Sequence, residues 1–398
     1  MKSIFKNLKG DRAIWFAVGL LAVFSFMPIY SASTNLVYVV ESATSTFSIL
    51  IKHGALLLLG FLIMYAVHRV PYRYFSGGSV LMLPLVFVLL LFTMTQGNTI
   101  GGANASRWIR IPFVGIGFQT STLAGLVLMT YVARYLAKKK DKEIEFKESL
   151  WFLWLPIGVM LALILPANFS TTAIIFCMVL VLTFLGGYPW KYILYILGIG
   201  LVFLTFFVLM AKAFPKLMPN RVDTWISRVE NFSDKNTEEA YQVEKAKIAI
   251  ATGGIMGKGP GKSVQKNFLP QSSSDFIYAI IVEEYGLIIG GVGVVLVYFF
   301  LLFRIMMVAK KATSIFATLL VLGVGLPIIF QALINMAVAI NLFPVTGQTL
   351  PLISSGGTSI WMTCFAIGII LSVSSVKEES IHDLEHDNPL NILHEAID

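Results

Sequence analysis

Apolar stretches of membrane-crossing length alternate with short polar segments along this chain. They predict helices near 13–31, 47–67, 79–95, 112–136, 150–166, 170–187, 190–212, 276–303, 314–340 and 357–376. Lys and Arg gather in alternate connections: Lys2/Lys6/Lys9/Arg12, Arg69/Arg73, Arg134 with Lys138–Lys140 and Lys142, Lys191, and Arg304/Lys310/Lys311. With the N-terminus inside, all of these fall on the cytoplasmic face, where such residues accumulate. The pattern reads as an all-α polytopic membrane protein of about ten transmembrane helices, with N- and C-termini cytoplasmic and a large extracytoplasmic loop between helices seven and eight. Its divisions are a cytoplasmic N-terminus over 1–12, a transmembrane domain over 13–376 with the long outer loop at about 213–275, and an acidic cytoplasmic tail over 377–398. From His382 onward the tail reads as disordered.

Composition agrees. Of 398 residues 57% are hydrophobic and 13% charged, where soluble domains carry about 25% charged residues. A soluble enzyme, a DNA-binding domain and a disordered scaffold are excluded. The net charge of +8 is a topology signal rather than a nucleic-acid patch. Cys177 and Cys364 lie inside apolar runs, and His382 and His386 lack a third ligand, so no disulfide or metal site is suggested. The basic start followed by a run ending at Ser31-Ala32-Ser33 resembles a signal peptide. The run from Ala13 to Tyr30 approaches span length, however, and reads as an uncleaved first helix.

Three segments fall on the opposite face: Gly97–Pro112, about 213–275, and Asn341–Gly357. They are rich in Gly, Pro, Ser and Asn, and two are too apolar to be freely solvated. Irregular backbone at membrane depth is tolerated where it is buried or lines a cavity, so a polar cavity open to the outer face is expected.

The long outer segment holds most of the candidate chemistry. Its glycine-rich piece ending Gly261-Lys262-Ser263 is not a phosphate-binding P-loop, because three residues rather than four separate Gly257 from Gly261. What remains is a cationic loop with Lys258, Lys262 and Lys266, suited to an anionic head group or simply solvated. Asp275 precedes the apolar run Phe276–Val282. It is either a helix cap or a carboxylate at the edge of the low-dielectric region, placed to act as a general base. Glu283 and Glu284 follow inside the helix, where carboxylates are functional or paired, the pairing expected here being with loop arginines. Arg107, Trp108 and Arg110 suit interfacial anchoring or a phosphate clamp equally well.

These motifs resemble the SEDS family, the FtsW and RodA membrane glycosyltransferases, over about residues 10 to 376. The most specific match runs from Ser263-Val264-Gln265-Lys266 through Leu269-Pro270 and Ser274-Asp275-Phe276-Ile277 to Glu283-Glu284-Tyr285-Gly286. A second includes Asn335, Pro344-Val345-Thr346-Gly347, Leu350-Pro351 and Ser354–Ser359. A third is Ala105–Ile109 with Gln119, and Arg221, Trp225, Arg228 and Tyr241-Gln242 also fit. The resemblance implies polymerisation of lipid II into peptidoglycan glycan strands at the outer face of the bacterial cytoplasmic membrane. Asp275 would be the catalytic base. Arg107, Trp108, Gln119, Gln242, Lys258, Lys262, Lys266, Glu284, Thr346 and Ser354 would bind substrate. No cofactor is implied, and a divalent cation is left open. The implied partners are a class B penicillin-binding protein, the cross-linking transpeptidase, and other division-complex proteins.

The Ser-x-Gln-Lys stretch and the C-terminal extension lean toward the division-type member, FtsW, acting at the septum. A RodA-like elongation polymerase, a lipid II flippase and a non-catalytic scaffold are the alternatives. Three positions depart from the family's usual residues. Thr122 stands where a glutamate is usual, Gly125 where a lysine is, and Asn168 where an aspartate is.

Overall fold

The computed structural model describes residues 8–39, 46–95, 99–100, 103–104, 108–110, 117–140, 142–213, 238–269 and 271–386. The helices are α1 (Arg12–Val39), α2 (Thr46–Val67), α3 (Arg73–Thr95), α4 (Thr120–Lys139), α5 (Phe146–Ile164), α6 (Phe169–Leu185), α7 (Trp190–Ala213), α8 (Glu238–Gly253), α9 (Ile277–Lys311), α10 (Ile315–Ala339) and α11 (Gly357–His386). All but α8 occupy the predicted apolar stretches.

Eight of the described helices are long and apolar enough to cross a bilayer: α1, α2, α3, α5, α7, α9, α10 and α11. Helix α6 has only 17 residues, and α4 carries Arg134, Lys138 and Lys139. Both pack against α10 and against each other. Shielding from lipid is what lets a less apolar helix such as α4 sit in a bundle. Within the spans, α10 and α11 are 67% and 72% buried and form the centre, whereas α7 is 11% buried and lies at the periphery.

Three expectations need correction. The fourth helix begins at Thr120, not 112, because Gly117–Gln119 (β4) pairs antiparallel with Trp108–Arg110 (β3). A smaller ribbon joins Thr99–Ile100 (β1) to Ala103–Asn104 (β2). The fold is therefore helical with two short β-ribbons on one connection.

The outer loop is not wholly irregular. Helix α8 buries Val243, Ala246 and Ala249, spaced three apart on one face, against the start of α9 and against α10. The last helix also continues through the acidic stretch to His386, four residues past the predicted onset of disorder. Extending an existing helix adds a hydrogen bond per residue without a new nucleation step. Residues 387–398 lie outside the described residues.

Helix α9 is interrupted. It is α-helical over Ile277–Gly286, makes a π-turn over Leu287–Gly293 and resumes as α-helix from Val294. Gly286 adopts φ 75°, ψ 177°, a region open essentially to glycine alone. The segment Gly253–Gly259 straps across this break. Lys258 N and Gly259 N donate to the Glu283 and Glu284 carbonyls at 2.9 Å each, and Leu287 N donates to the Gly254 carbonyl at 2.9 Å. The strap thus occupies backbone groups that the broken helix cannot pair itself. Contact is too close for side chains: a Cβ on Gly257 would lie 2.3 Å from the Glu284 carbonyl oxygen, and one on Gly286 2.3 Å from that of Ile255.

Candidate active site

Asp275 ends a tight turn. Ser272 N donates to the Leu269 carbonyl (3.1 Å), and Phe276 N to the Gln271 carbonyl (3.2 Å). The N-cap position of α9 falls on Phe276, so Asp275 does not cap the helix from the expected position. Phe276 is fully buried and Asp275 half-buried, which anchors the turn and leaves the carboxylate at its rim.

Connection 341–357 holds this turn from the other side. Ser354 Oγ donates to the Ser274 carbonyl (2.6 Å) and accepts from Leu350 N (2.7 Å). Ser355 N donates to the Ser273 carbonyl at 2.9 Å. Asn335, buried on α10, donates through Nδ2 to the carbonyls of Asp275 (2.8 Å) and Gln348 (2.7 Å). Gly347 has φ 67°, and a Cβ there would stand 3.6 Å from Asp275 Oδ2. Glycine therefore keeps the space beside the carboxylate open. Leu352, buried with φ 65°, carries backbone strain that the surrounding hydrogen bonds must hold.

A second cluster lies on the far side of the α9 turn. Glu283, fully buried, accepts from Lys258 Nζ (2.6 Å), Val264 N (3.1 Å), Gln265 N (3.2 Å) and the Ser263 hydroxyl. Glu284, also buried, accepts from Ser263 N (3.2 Å) and from the Ser31 hydroxyl of α1. Lys266 Nζ reaches Ser31 Oγ (3.2 Å) and the Gly261 carbonyl (2.9 Å). The expected pairing with loop arginines is not what the structure shows: Glu283 pairs with Lys258, and Glu284 is held by hydroxyl and backbone donors, so that both shape the 258–266 loop.

The structure thus gathers Asp275 and Ser354 at one turn, with Thr346 next to Gly347 in the connection beside it, and Lys258, Lys266 and Glu284 at another. Lys262 is exposed on the loop between them, and Gln242 is half-buried on α8. Trp108 and Gln119 face each other in the β3–β4 register, with β4 packed on α11. Arg107 lies outside the described residues. Sequence reasoning passed over Ser31, Gln348 and Thr171. Ser31 looked like part of a cleavage-site pattern, yet a buried hydroxyl in an apolar run signals a polar partner nearby.

Two departure positions acquire explanations. Asn168 caps α6, its Oδ1 accepting from Thr171 N at 3.2 Å, and Thr171 Oγ1 accepts from Gln348 Nε2 at 3.0 Å. Asparagine and aspartate cap helices equally well, so the change removes a charge without losing the cap. Asn168→Asp is expected to melt like the parent, and Asn168→Ala about 1 kcal/mol less stably, read by thermal unfolding of the detergent-purified protein. Gly125 faces Ile175, to which a Cβ would approach within 3.3 Å, so a longer side chain here requires the Ile175 side chain to give. Nothing in the structure explains Thr122.

Fold and site define a polytopic helical membrane protein whose half-buried carboxylate sits at the end of a broken span, clamped by two polar connections. Residues 11–379 match the model of the cell cycle protein family FTSW_RODA_SPOVE, and the chain belongs to that family. Among its relatives, the "Probable peptidoglycan glycosyltransferase FtsW" of Hydrogenovibrio crunogenus is 33% identical over 337 residues, 82% of each chain. The protein of the same name from Escherichia coli O157:H7 is 32% identical over 373 residues, covering 91% of this chain and 85% of the relative. The fold is shared with a chain of a peptidoglycan synthase complex (TM-score 0.69, 24% identity, 92% of this chain and 97% of that one). It is also shared with the rod shape determining protein RodA of Thermus thermophilus (TM-score 0.65, 23% identity, 92% and 96%).

Proposed function

We propose that this protein is a peptidoglycan glycosyltransferase that polymerises lipid II at the outer face of the bacterial cytoplasmic membrane, in septal wall synthesis. The observation that carries the reading is the Asp275 turn, pinned by Asn335 and Ser354 in a chain of the FtsW/RodA/SpoVE family. In this reading the chain crosses ten times with both termini cytoplasmic, which puts the turn outside; the alternation of basic connections supports it. A class B penicillin-binding protein is the partner in this reading.

The proposed chemistry is a glycosyl transfer between two lipid-linked saccharides. Asp275 accepts the proton of the acceptor's GlcNAc 4-hydroxyl as that oxygen bonds to the anomeric carbon of the growing chain. The bond from that carbon to the pyrophosphate oxygen breaks, and undecaprenyl pyrophosphate leaves with the electron pair. The donor is already activated, so no nucleotide enters. A positioned base supplies about 10²–10⁴-fold, and the negative charge growing on the leaving group calls for cations. Lys262 and Lys266 on the outer loop are suited to that, as is Arg107 by its charge and side of the membrane. Lys258 is committed to Glu283 and acts by holding the loop.

The test is electrophoresis of products from labelled lipid II, with the protein purified together with its cognate class B penicillin-binding protein. A ladder of glycan strands is expected. Its absence with the partner present, alongside transfer of labelled lipid II between leaflets of vesicles, would replace the polymerase with a flippase.

A further inference from the structure

The strap across the break in α9 leaves two large apolar side chains uncovered. Met256 is 83% exposed and Ile255 63%, although both belong to a connection rather than to a span. Their height relative to α9 is fixed by backbone bonds: the Gly254 carbonyl accepts from Leu287 N (2.9 Å) and the Ile255 carbonyl from Ile288 N (3.5 Å).

That height coincides with a change in the surroundings of α9. From Ile277 to Glu284 every residue is buried in protein. Immediately past Gly286, Leu287, Ile288 and Ile289 are exposed, as lipid-facing residues of a span are. Length gives the same boundary. Helix α9 has 35 residues, about 52 Å at 1.5 Å per residue, against a hydrocarbon core of about 30 Å. Counting about 20 residues back from Arg304, at the cytoplasmic end, reaches Glu284–Tyr285. The strap therefore crosses α9 where hydrocarbon gives way to head groups.

The chemistry of the strap suits that depth. The Gly254 and Ile255 carbonyls are hydrogen-bonded to α9, and Gly257 N donates to the Gly253 carbonyl at 2.9 Å. These groups need no water. Lys258 and the exposed Lys262 follow the apolar tip directly, the order expected where a surface segment meets anionic lipid.

We propose that Gly254–Gly257 is a membrane-seated knuckle. Ile255 and Met256 reach into the acyl chains of the outer leaflet, and Lys262 stands among the head groups. The bilayer is the occupant because the two side chains continue the lipid-facing surface of α9 at its upper edge. The knuckle fixes the height of the 258–275 segment above the membrane, and so the level at which a lipid-borne head group meets it. This inference rests on the membrane-spanning fold and not on which reaction the site performs.

The test uses full-length protein carrying Cys177→Ser, since Cys364 is buried. Single cysteines at Ile255→Cys, Met256→Cys and Lys262→Cys are labelled with an environment-sensitive fluorophore. The proteins are reconstituted in phosphatidylcholine–phosphatidylglycerol vesicles. Labels at 255 and 256 are expected to emit as in an apolar medium. Lipids with a nitroxide near the glycerol end of the acyl chain should quench them strongly, and lipids with one near the methyl end weakly. The label at 262 is expected to emit as in water. Aqueous, unquenched emission at both 255 and 256 would overturn the proposal, as would a protein partner shielding both labels from nitroxide. Loss of polymerase activity in any variant would leave the depth readout intact.

Discussion

Asp275→Asn is expected to yield a folded, membrane-inserted protein that polymerises lipid II about 10²–10⁴-fold more slowly than the parent, the range a positioned base supplies. The amide keeps the volume and planar shape of the carboxylate but cannot accept the proton. The backbone grip on the turn is retained. Asn335 grips the backbone carbonyl of Asp275, which the substitution retains, and the N-cap of α9 is Phe276. The measurement is the initial rate of glycan strand formation from labelled lipid II, with matched amounts of monodisperse protein and partner. A wild-type rate would remove Asp275 from the chemistry and leave it a structural residue of the turn.

The bundle was legible because a run of about 20 apolar residues is among the least ambiguous signals a sequence carries. The misreadings have separate causes. Residues 112–119 are as apolar as a helix start, but Gly117–Gln119 pair with Trp108–Arg110 as a ribbon. Periodicity alone does not distinguish a short apolar strand from a helix. Helix α8 is hard to tell from loop in the sequence because its buried face is mostly alanine, which barely registers as hydrophobic. Its spacing of three would have shown it.

At the site, Asp275 stood out by its place before an apolar run. The grip of Asn335 and Ser354 on its turn joins residues 60 and 80 positions apart, and no local pattern encodes such a contact. The paired glutamates were visible, but not their partners. Val264 and Gln265 contribute backbone N–H groups, and backbone donors leave no mark in a sequence.

The two glutamates also explain how a glycine-rich cationic loop is held in one shape. The strap's glycines let its backbone lie against that of α9, and Glu283 then gathers the loop that follows. Lys266 is tied to α1 through Ser31, which also contacts Glu284. Helix α1, the strap and the start of α9 are therefore joined by one hydrogen-bond network, and the position of Lys266 depends on both carboxylates.

Glu283→Ala is accordingly expected to destabilise the protein by about 3–5 kcal/mol, the cost of removing one partner of a buried ion pair. It would leave Val264 N and Gln265 N without their acceptor and the ammonium of Lys258 without its counter-ion. Glu283→Gln is expected to fare nearly as badly, for a reason of valence rather than size. Lys258, Ser263, Val264 and Gln265 all donate to this side chain, and a carboxylate offers acceptors only. Glutamine would turn two N–H donors toward groups that are themselves donors.

Lys258→Met should cost less, because Glu283 keeps three donors, the Ser263 hydroxyl and the Val264 and Gln265 N–H groups, after the ammonium is lost. Thermal unfolding in detergent, followed by size-exclusion chromatography of the heated samples, gives the ranking. In a double-mutant cycle, the double variant Lys258→Met/Glu283→Gln should lose less than the sum of the single changes, with a coupling of about 0.5–3 kcal/mol. Additive losses would mean that the pair is not coupled and that the loop is held by its backbone bonds alone.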